Sequence, residues 1–156
     1  MRNWATRAVG ELAHRRDEIN ALNVFPVPDS DTGSNMAHTM EAAVAELDNG
    51  GDVADSLALG AVRGARGNSG MVLSQVLRGV AESTVDSVID GDVFARSLQQ
   101  AVELVDRAIA EPVEGTVITV LRAAAEAADD AEAQSGATLH SIVSAAIAAA
   151  ETALER

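Results

Sequence analysis

The sequence predicts an all-α protein, and three observations carry that expectation. Apolar residues make up 47% of the chain but aromatic ones only 2%, with no tyrosine. The core must then be built mostly from Ala, Val and Leu, a composition suited to helices packed closely on small side chains. Apolar residues also recur at helical spacing through most of the chain, and glycine, proline and capping residues interrupt the recurrence where helices start and stop.

Trp4, Ala8 and Leu12 stand at i, i+4 and i+8 and predict a first helix with those residues inward. Met36, Met40, Val44 and Leu47 predict a second, stopped by Asn49-Gly50-Gly51. Asp52 is expected to cap a third helix whose inner face is Val53, Leu57 and Ala61, with Gly64 and Gly67 at its end. A fourth begins near Ser69 and turns Leu73, Val76, Leu77 and Val80 inward. Asp92 is expected to cap the fifth, whose stripe of Leu98, Val102, Val105 and Ile109 stops before Pro112. Thr116 to Ala128 and Thr138 to Leu154 supply two more, although Val113 to Val120 is β-branched enough to read as a strand. The connections are short, so neighbouring helices are expected to run antiparallel. There is no internal repeat. In the Ala-rich stretch from Ala123 to Ala133, the residues Glu126, Asp129, Asp130 and Glu132 read as a solvated face.

Length and composition predict one domain over 1–156 and narrow its chemistry. Asp and Glu number 24 against 11 basic residues, all arginine, for a formal net charge of −13. The absence of lysine excludes a Schiff-base enzyme, a Walker-A phosphate loop and a protein kinase with its strand lysine. The acidic excess excludes nucleic acid as a partner, because affinity for a phosphate backbone comes from Lys and Arg displacing counterions. No cysteine is present, so there is no disulfide, thiolate nucleophile or thiolate metal site. The opening MRNWATRAVGELAHRRDE is charged throughout, and no run of about 18 apolar residues occurs, so no membrane span and a cytoplasmic location are expected.

The most informative segment is NALNVFPVPDSDTGSNM, from Asn20 to Met36. Pro26 and Pro28 stiffen an extended approach to Asp29 and Asp31, which stand at i and i+2. Two carboxylates so spaced can converge on one hard cation, and Mg²⁺ needs few protein oxygens when phosphates supply the rest. Thr32, Gly33, Ser34 and Asn35 then open a helix, where N–H groups and hydroxyls favour an anion. The competing reading makes Asp29 and Ser34 ordinary turn and helix caps. An EF-hand is excluded: counted from Asp29, its glycine would fall on Ser34 and its bidentate Glu on Met40.

A second segment, GAVRGARGNSG, spans Gly60 to Gly70. Gly64, Gly67 and Gly70 permit close approach of backbone to a ligand, and Asn68 and Ser69 open a helix; the alternative is that these glycines serve packing or C-caps. Arg63 and Arg66 either add positive charge there or partner a helix dipole. The third segment, EPVEGT from Glu111 to Thr116, reads locally as a helix junction turning at Gly115. Asp90-Gly91-Asp92 repeats an acidic pair but lacks donors after it. His14, His38 and His140 share no ligand spacing.

Taken in order, NALNVFPVPDSDTGSNM, GARGNSGMVLSQ and EPVEGTVITVLR resemble the DhaL family, the nucleotide-binding unit of dihydroxyacetone kinases. Their wording is closest to the N-terminal domain of the fatty acid kinase A type, and the similarity runs over nearly the whole chain. The resemblance implies an antiparallel helical barrel of eight helices, of which about seven are readable here, binding ATP at one end with two Mg²⁺ ions. It places the metal ligands on Asn23, Asp29 and Asp31. It places nucleotide contacts on Thr32, Gly33, Ser34 and Asn35, on Gly67, Asn68 and Ser69, and on Gly115 and Thr116. It departs at Ser30, where the family has glycine, and at Arg156, where the chain stops before the segment that completes the barrel in relatives.

The expected function is that of a kinase domain passing the γ-phosphoryl of ATP to an alcohol or carboxyl acceptor, held by a fatty-acid-binding or dihydroxyacetone-binding partner. No general base is evident in the chain, consistent with an acceptor site elsewhere. The alternative is a non-catalytic nucleotide-binding or regulatory module of the same family.

Overall fold

A computed structural model describes residues 1–25, 27–111 and 115–155. These form seven α-helices: α1 (Arg2–Leu22), α2 (Thr32–Glu46), α3 (Val53–Gly64), α4 (Gly67–Ser83), α5 (Gly91–Ala108), α6 (Val117–Glu132) and α7 (Leu139–Leu154). A 3₁₀ turn, Leu47–Asn49, prolongs α2. Among the described residues there is no strand, only an isolated bridge between Val85 and Val88. The all-α expectation therefore holds, and the β-branched run from Val117 to Val120 is helical. Pro26, Pro112 and Arg156 lie outside the described residues, as do Val113 and Glu114. The chain divides into two compact units, Met1–Arg78 and Gly79–Arg156.

In the first unit α2 packs against both α1 and α3. Its core gathers Met40, Leu47, Leu57 and Leu77 with Ala5, Ala43 and Ala61. Burying each of the larger side chains stabilises by about 1.5–3 kcal/mol. Small residues let the helices meet almost backbone to backbone. A Cβ on Gly60 of α3 would lie 2.4 Å from the Ala42 carbonyl oxygen and 2.9 Å from the Ala43 Cα of α2. The close packing foreseen from composition is realised at this crossing.

One expectation about α1 needs correction. Trp4 is 53% exposed, and the buried position belongs to Ala5, with Ala8, Val9 and Leu12 packed against the core beside it. Ala8 and Leu12 thus face the core as expected, while the inward face is centred towards Ala5 and Val9 and leaves Trp4 at its edge. At a contact this close an alanine fits and an indole does not.

The second unit is built from α5, α6 and α7, each packing on the other two. Ala95, Ala128, Ile142 and Ala146 form its centre, flanked by Phe94 and Leu98. Asp90, not Asp92, caps α5: its carboxylate accepts the Val93 N–H at 2.9 Å, while Asp92 lies in the first turn and pairs with Arg96 at 2.7 Å. The helix starts two residues earlier than expected, and its first residue, Gly91, runs close to α7, where a Cβ would lie 2.5 Å from Ile142 Cδ1. Glu126, Asp129, Asp130 and Glu132 are all exposed, as a solvated face requires. Among the described residues no helix is long and apolar enough to cross a membrane.

Candidate functional site

The first motif occupies the end of α1, a loop and the start of α2. Helix α1 closes with the Asn23 N–H bonded to the Asn20 carbonyl at 3.2 Å. The Asn23 side-chain amide then donates to Asp29 Oδ1, which brings together two of the three expected metal ligands across six residues. A half-turn of that amide would exchange its N–H for a carbonyl oxygen, so the pair can offer a cation two hard oxygens. Between them the chain exposes Val24, Phe25 and Val27, and Leu22 is exposed just before them.

Ser30 separates the two aspartates with φ +56°, in the left-handed region that favours glycine. The serine therefore strains the turn that sets the spacing of the carboxylates. Ser30→Gly is expected to stabilise the protein by about 0.5–1 kcal/mol, since relief of the backbone strain exceeds the added freedom of the unfolded chain. Thermal unfolding followed by circular dichroism checks this as a rise of roughly 1–4 °C.

Asp31 occupies the N-cap position of α2 without performing its usual task there. Its side chain makes no capping hydrogen bond, whereas Asp52, Asp90, Thr116 and Thr138 all accept a backbone N–H at the starts of their helices. Among the described residues the Asp31 carboxylate has no hydrogen-bond or ion-pair partner and is exposed. A carboxylate left uncommitted in this way has oxygens chemically suited to a hard cation.

The first turn of α2 is locked onto α1. Gly33 is buried, and a Cβ there would lie 2.3 Å from the Arg16 carbonyl oxygen and 3.0 Å from Ile19 Cβ, so only glycine permits the crossing. Next to it Ser34 donates its N–H to Asn20 Oδ1 at 3.0 Å, while its hydroxyl oxygen accepts from Asn20 Nδ2 at 2.9 Å. Of the first-turn N–H groups expected to meet phosphate, that of Ser34 is thus already used. Those of Thr32 and Gly33 have no acceptor within the helix.

The second motif meets the first through Asn35. Gly67 adopts φ +62° against the Asn35 side chain, where a Cβ would lie 2.5 Å from Nδ2. Thr39, fully buried, ties the junction: its hydroxyl donates to the Asn35 carbonyl at 2.7 Å and accepts the Arg66 N–H at 3.2 Å. The N-termini of α2 and α4 are therefore held side by side, with Asn68 exposed and Ser69 half-buried at the latter. Gly64 and Gly70 serve packing instead, pressed on Ala42 and Thr39. Arg63 pairs with Glu46 at 3.8 Å.

The third motif lies in the second unit. Gly115 has φ +78° and donates its N–H to Thr119 Oγ1 at 2.9 Å; Thr116 caps α6, accepting the Ile118 N–H at 3.3 Å. Its preceding residues, Pro112 to Glu114, lie outside the described residues.

Two residues at this site escaped the sequence reading, Asn20 and Thr39. Both act across elements, over 14 and 27 residues, where local spacing carries no information. Thr39 did leave a signal: a hydroxyl on the otherwise apolar face of Met36, Met40 and Ala43 requires a buried partner. Among the described residues no three His, Asp or Glu side chains are grouped to hold a metal. The set of Asn23, Asp29 and Asp31 contains only two carboxylates and suits a cation whose other ligands are phosphate and water.

Comparison with known sequences finds relatives and a family for the chain. The chain is 42% identical over 123 residues to uncharacterised proteins of Staphylococcus aureus strains USA300 and NCTC 8325, a match covering 75% of this chain and 22% of each relative. It therefore spans about a fifth of the length of these relatives. The DAK2 domain family matches residues 26–156, from within the first motif to beyond the end of α7. The chain belongs to the DAK2-domain family, the all-α, DhaL-type nucleotide-binding units of dihydroxyacetone-kinase systems.

Proposed function

We propose that this chain is an ATP- and Mg²⁺-dependent phosphotransferase domain of the dihydroxyacetone kinase or fatty acid kinase type, which presents the γ-phosphoryl group to an acceptor held by a partner protein or domain. The observation that carries the proposal is the state of the aspartates: Asp29 is held beside Asn23, and Asp31 leaves its carboxylate uncommitted at a helix start. Capping, the competing explanation, would have given Asp31 a backbone N–H.

Asn23, Asp29 and Asp31 are the residues that would hold magnesium, and their oxygen donors fit a hard cation. Bound there, Mg²⁺ supplies neutralisation of phosphate charge, which in a lysine-free protein of net charge −13 has no ammonium group to provide it. Thr32, Gly33, Ser34 and Asn35, with Gly67, Asn68 and Ser69, offer N–H, hydroxyl and amide donors for phosphate oxygens, and Gly115 and Thr116 add a later contact. The exposed Leu22, Val24, Phe25 and Val27 border the carboxylates and form an apolar lip of the kind partner proteins contact.

Turnover tests the reading. ATP consumption is measured with the chain plus a fatty-acid-binding partner and, separately, a dihydroxyacetone-binding subunit. Release of ADP with one of them is expected. Binding of Mg·ATP without consumption in either mixture would replace the kinase by a regulatory nucleotide-binding module.

A further inference from the structure

The double hydrogen bond between Asn20 and Ser34 fixes more than the crossing of two helices. A backbone N–H is always a donor, so the Ser34 N–H at 3.0 Å identifies the facing Asn20 atom as the amide oxygen. The other amide atom is then necessarily the nitrogen, and it donates to the Ser34 hydroxyl oxygen at 2.9 Å. Because that oxygen already accepts a hydrogen bond from Asn20, the single hydroxyl proton of Ser34 must be directed elsewhere. Among the described residues it has no acceptor. Ser34 is half-buried in the first turn of α2, beside the N–H groups of Thr32 and Gly33 that have no acceptor within the helix.

We infer that Asn20 is a positioning residue that sets the polarity of the Ser34 hydroxyl, keeping its proton free to be donated to a phosphate oxygen of the bound Mg-nucleotide. The inference rests on the proposed function and adds a residue to it. Left to itself, a serine hydroxyl in the first turn of a helix rotates freely, and its one proton can be spent on any acceptor within reach, residue 20 included. With Asn20 in place the proton cannot be spent on residue 20, because the amide N–H faces the hydroxyl oxygen there and takes one of its lone pairs. The same amide oxygen takes the Ser34 N–H, so the two groups of one residue are divided: the backbone donor is spent on the fold and the side-chain donor is reserved.

Asn20→Asp reverses this arrangement with almost no change of shape. A carboxylate keeps the bond to the Ser34 N–H but has no proton to give, so the hydroxyl turns its own proton towards residue 20 and its lone pairs towards phosphate. The experiment is a calorimetric double-mutant cycle with Mg·ATP on wild type, Asn20→Asp, Ser34→Ala and the double variant, with melting temperatures recorded for each. Ser34→Ala is expected to weaken binding about tenfold and Asn20→Asp at least as much. In the Ser34→Ala background, Asn20→Asp is expected to add little further loss. An undiminished effect of Asn20→Asp in that background would overturn the inference, since charge or packing would then act without the hydroxyl. Normal binding by Asn20→Asp alone would overturn it as well. Failure of wild type to bind Mg·ATP at all would sink the proposed function itself, a result separate from both.

Discussion

Replacing Gly33 by alanine is expected to cost about 3 kcal/mol, at the upper end of what overpacking does. The added methyl would lie 2.3 Å from the Arg16 carbonyl oxygen, an atom of the α1 backbone that has no rotamer in which to retreat. Helix α2 must then back away from α1, which also parts Ser34 from Asn20 and shifts the loop between them. The melting temperature should fall by roughly 10 °C, and nucleotide affinity should fall with it. Alanine at Gly10, where a Cβ meets nothing within 4 Å, is the matched control and should be neutral or slightly stabilising.

The second large effect concerns function with stability spared. Asp31→Asn is expected to weaken Mg·ATP binding roughly a hundredfold, the loss of one charged ligand being about 2–3 kcal/mol. Its melting temperature should change little, because the carboxylate makes no cap and the loss of its attraction to the helix N-terminus is offset by relief of repulsion from Asp29, two residues away. A capping aspartate behaves in the opposite way: its removal lowers stability by about 1 kcal/mol and leaves ligand affinity alone. Calorimetry and thermal melts on the same sample therefore separate a metal ligand from a cap. Asp29→Asn should resemble Asp31→Asn in affinity, with the contact to Asn23 altered as well.

The helices were readable because apolar spacing and stop signals agree along most of the chain. Where the reading slipped, the reason is geometric. Trp4 and Ala5 stand on adjacent sides of α1, and an apolar recurrence that admits both does not say which of them meets the core; Ala5 is fully buried and Trp4 is 53% exposed. Asp90 and Asp92 both suit an N-cap. It is Asp90 whose carboxylate accepts the Val93 N–H, and Gly91 beside it passes close to Ile142, a contact between elements some 50 residues apart that no local pattern records.

The candidate site divides along the same line. Asp29, Asp31 and the donors after them were visible as a motif because they are contiguous in sequence. Asn20 and Thr39 were not, because each acts on a residue from another element, Ser34 in one case and Arg66 in the other. The left-handed turn at Ser30 was visible only as a departure from a family glycine, and its φ of +56° shows that the serine occupies the conformation the glycine suits. Glycines divided likewise: Gly67 faces the motif through Asn35, whereas Gly64 and Gly70 pack helices.

A strongly acidic chain without lysine handles a triphosphate only if divalent cations accompany it, and this dependence is the core of the functional account. The measurement that tests it most directly is a calorimetric titration of the wild-type chain with ATP, once with Mg²⁺ and once with the metal chelated. The account predicts saturable binding with Mg²⁺ and a loss of about a hundredfold or more in affinity without it. Equal affinity in the two titrations, or no binding in either, would contradict it.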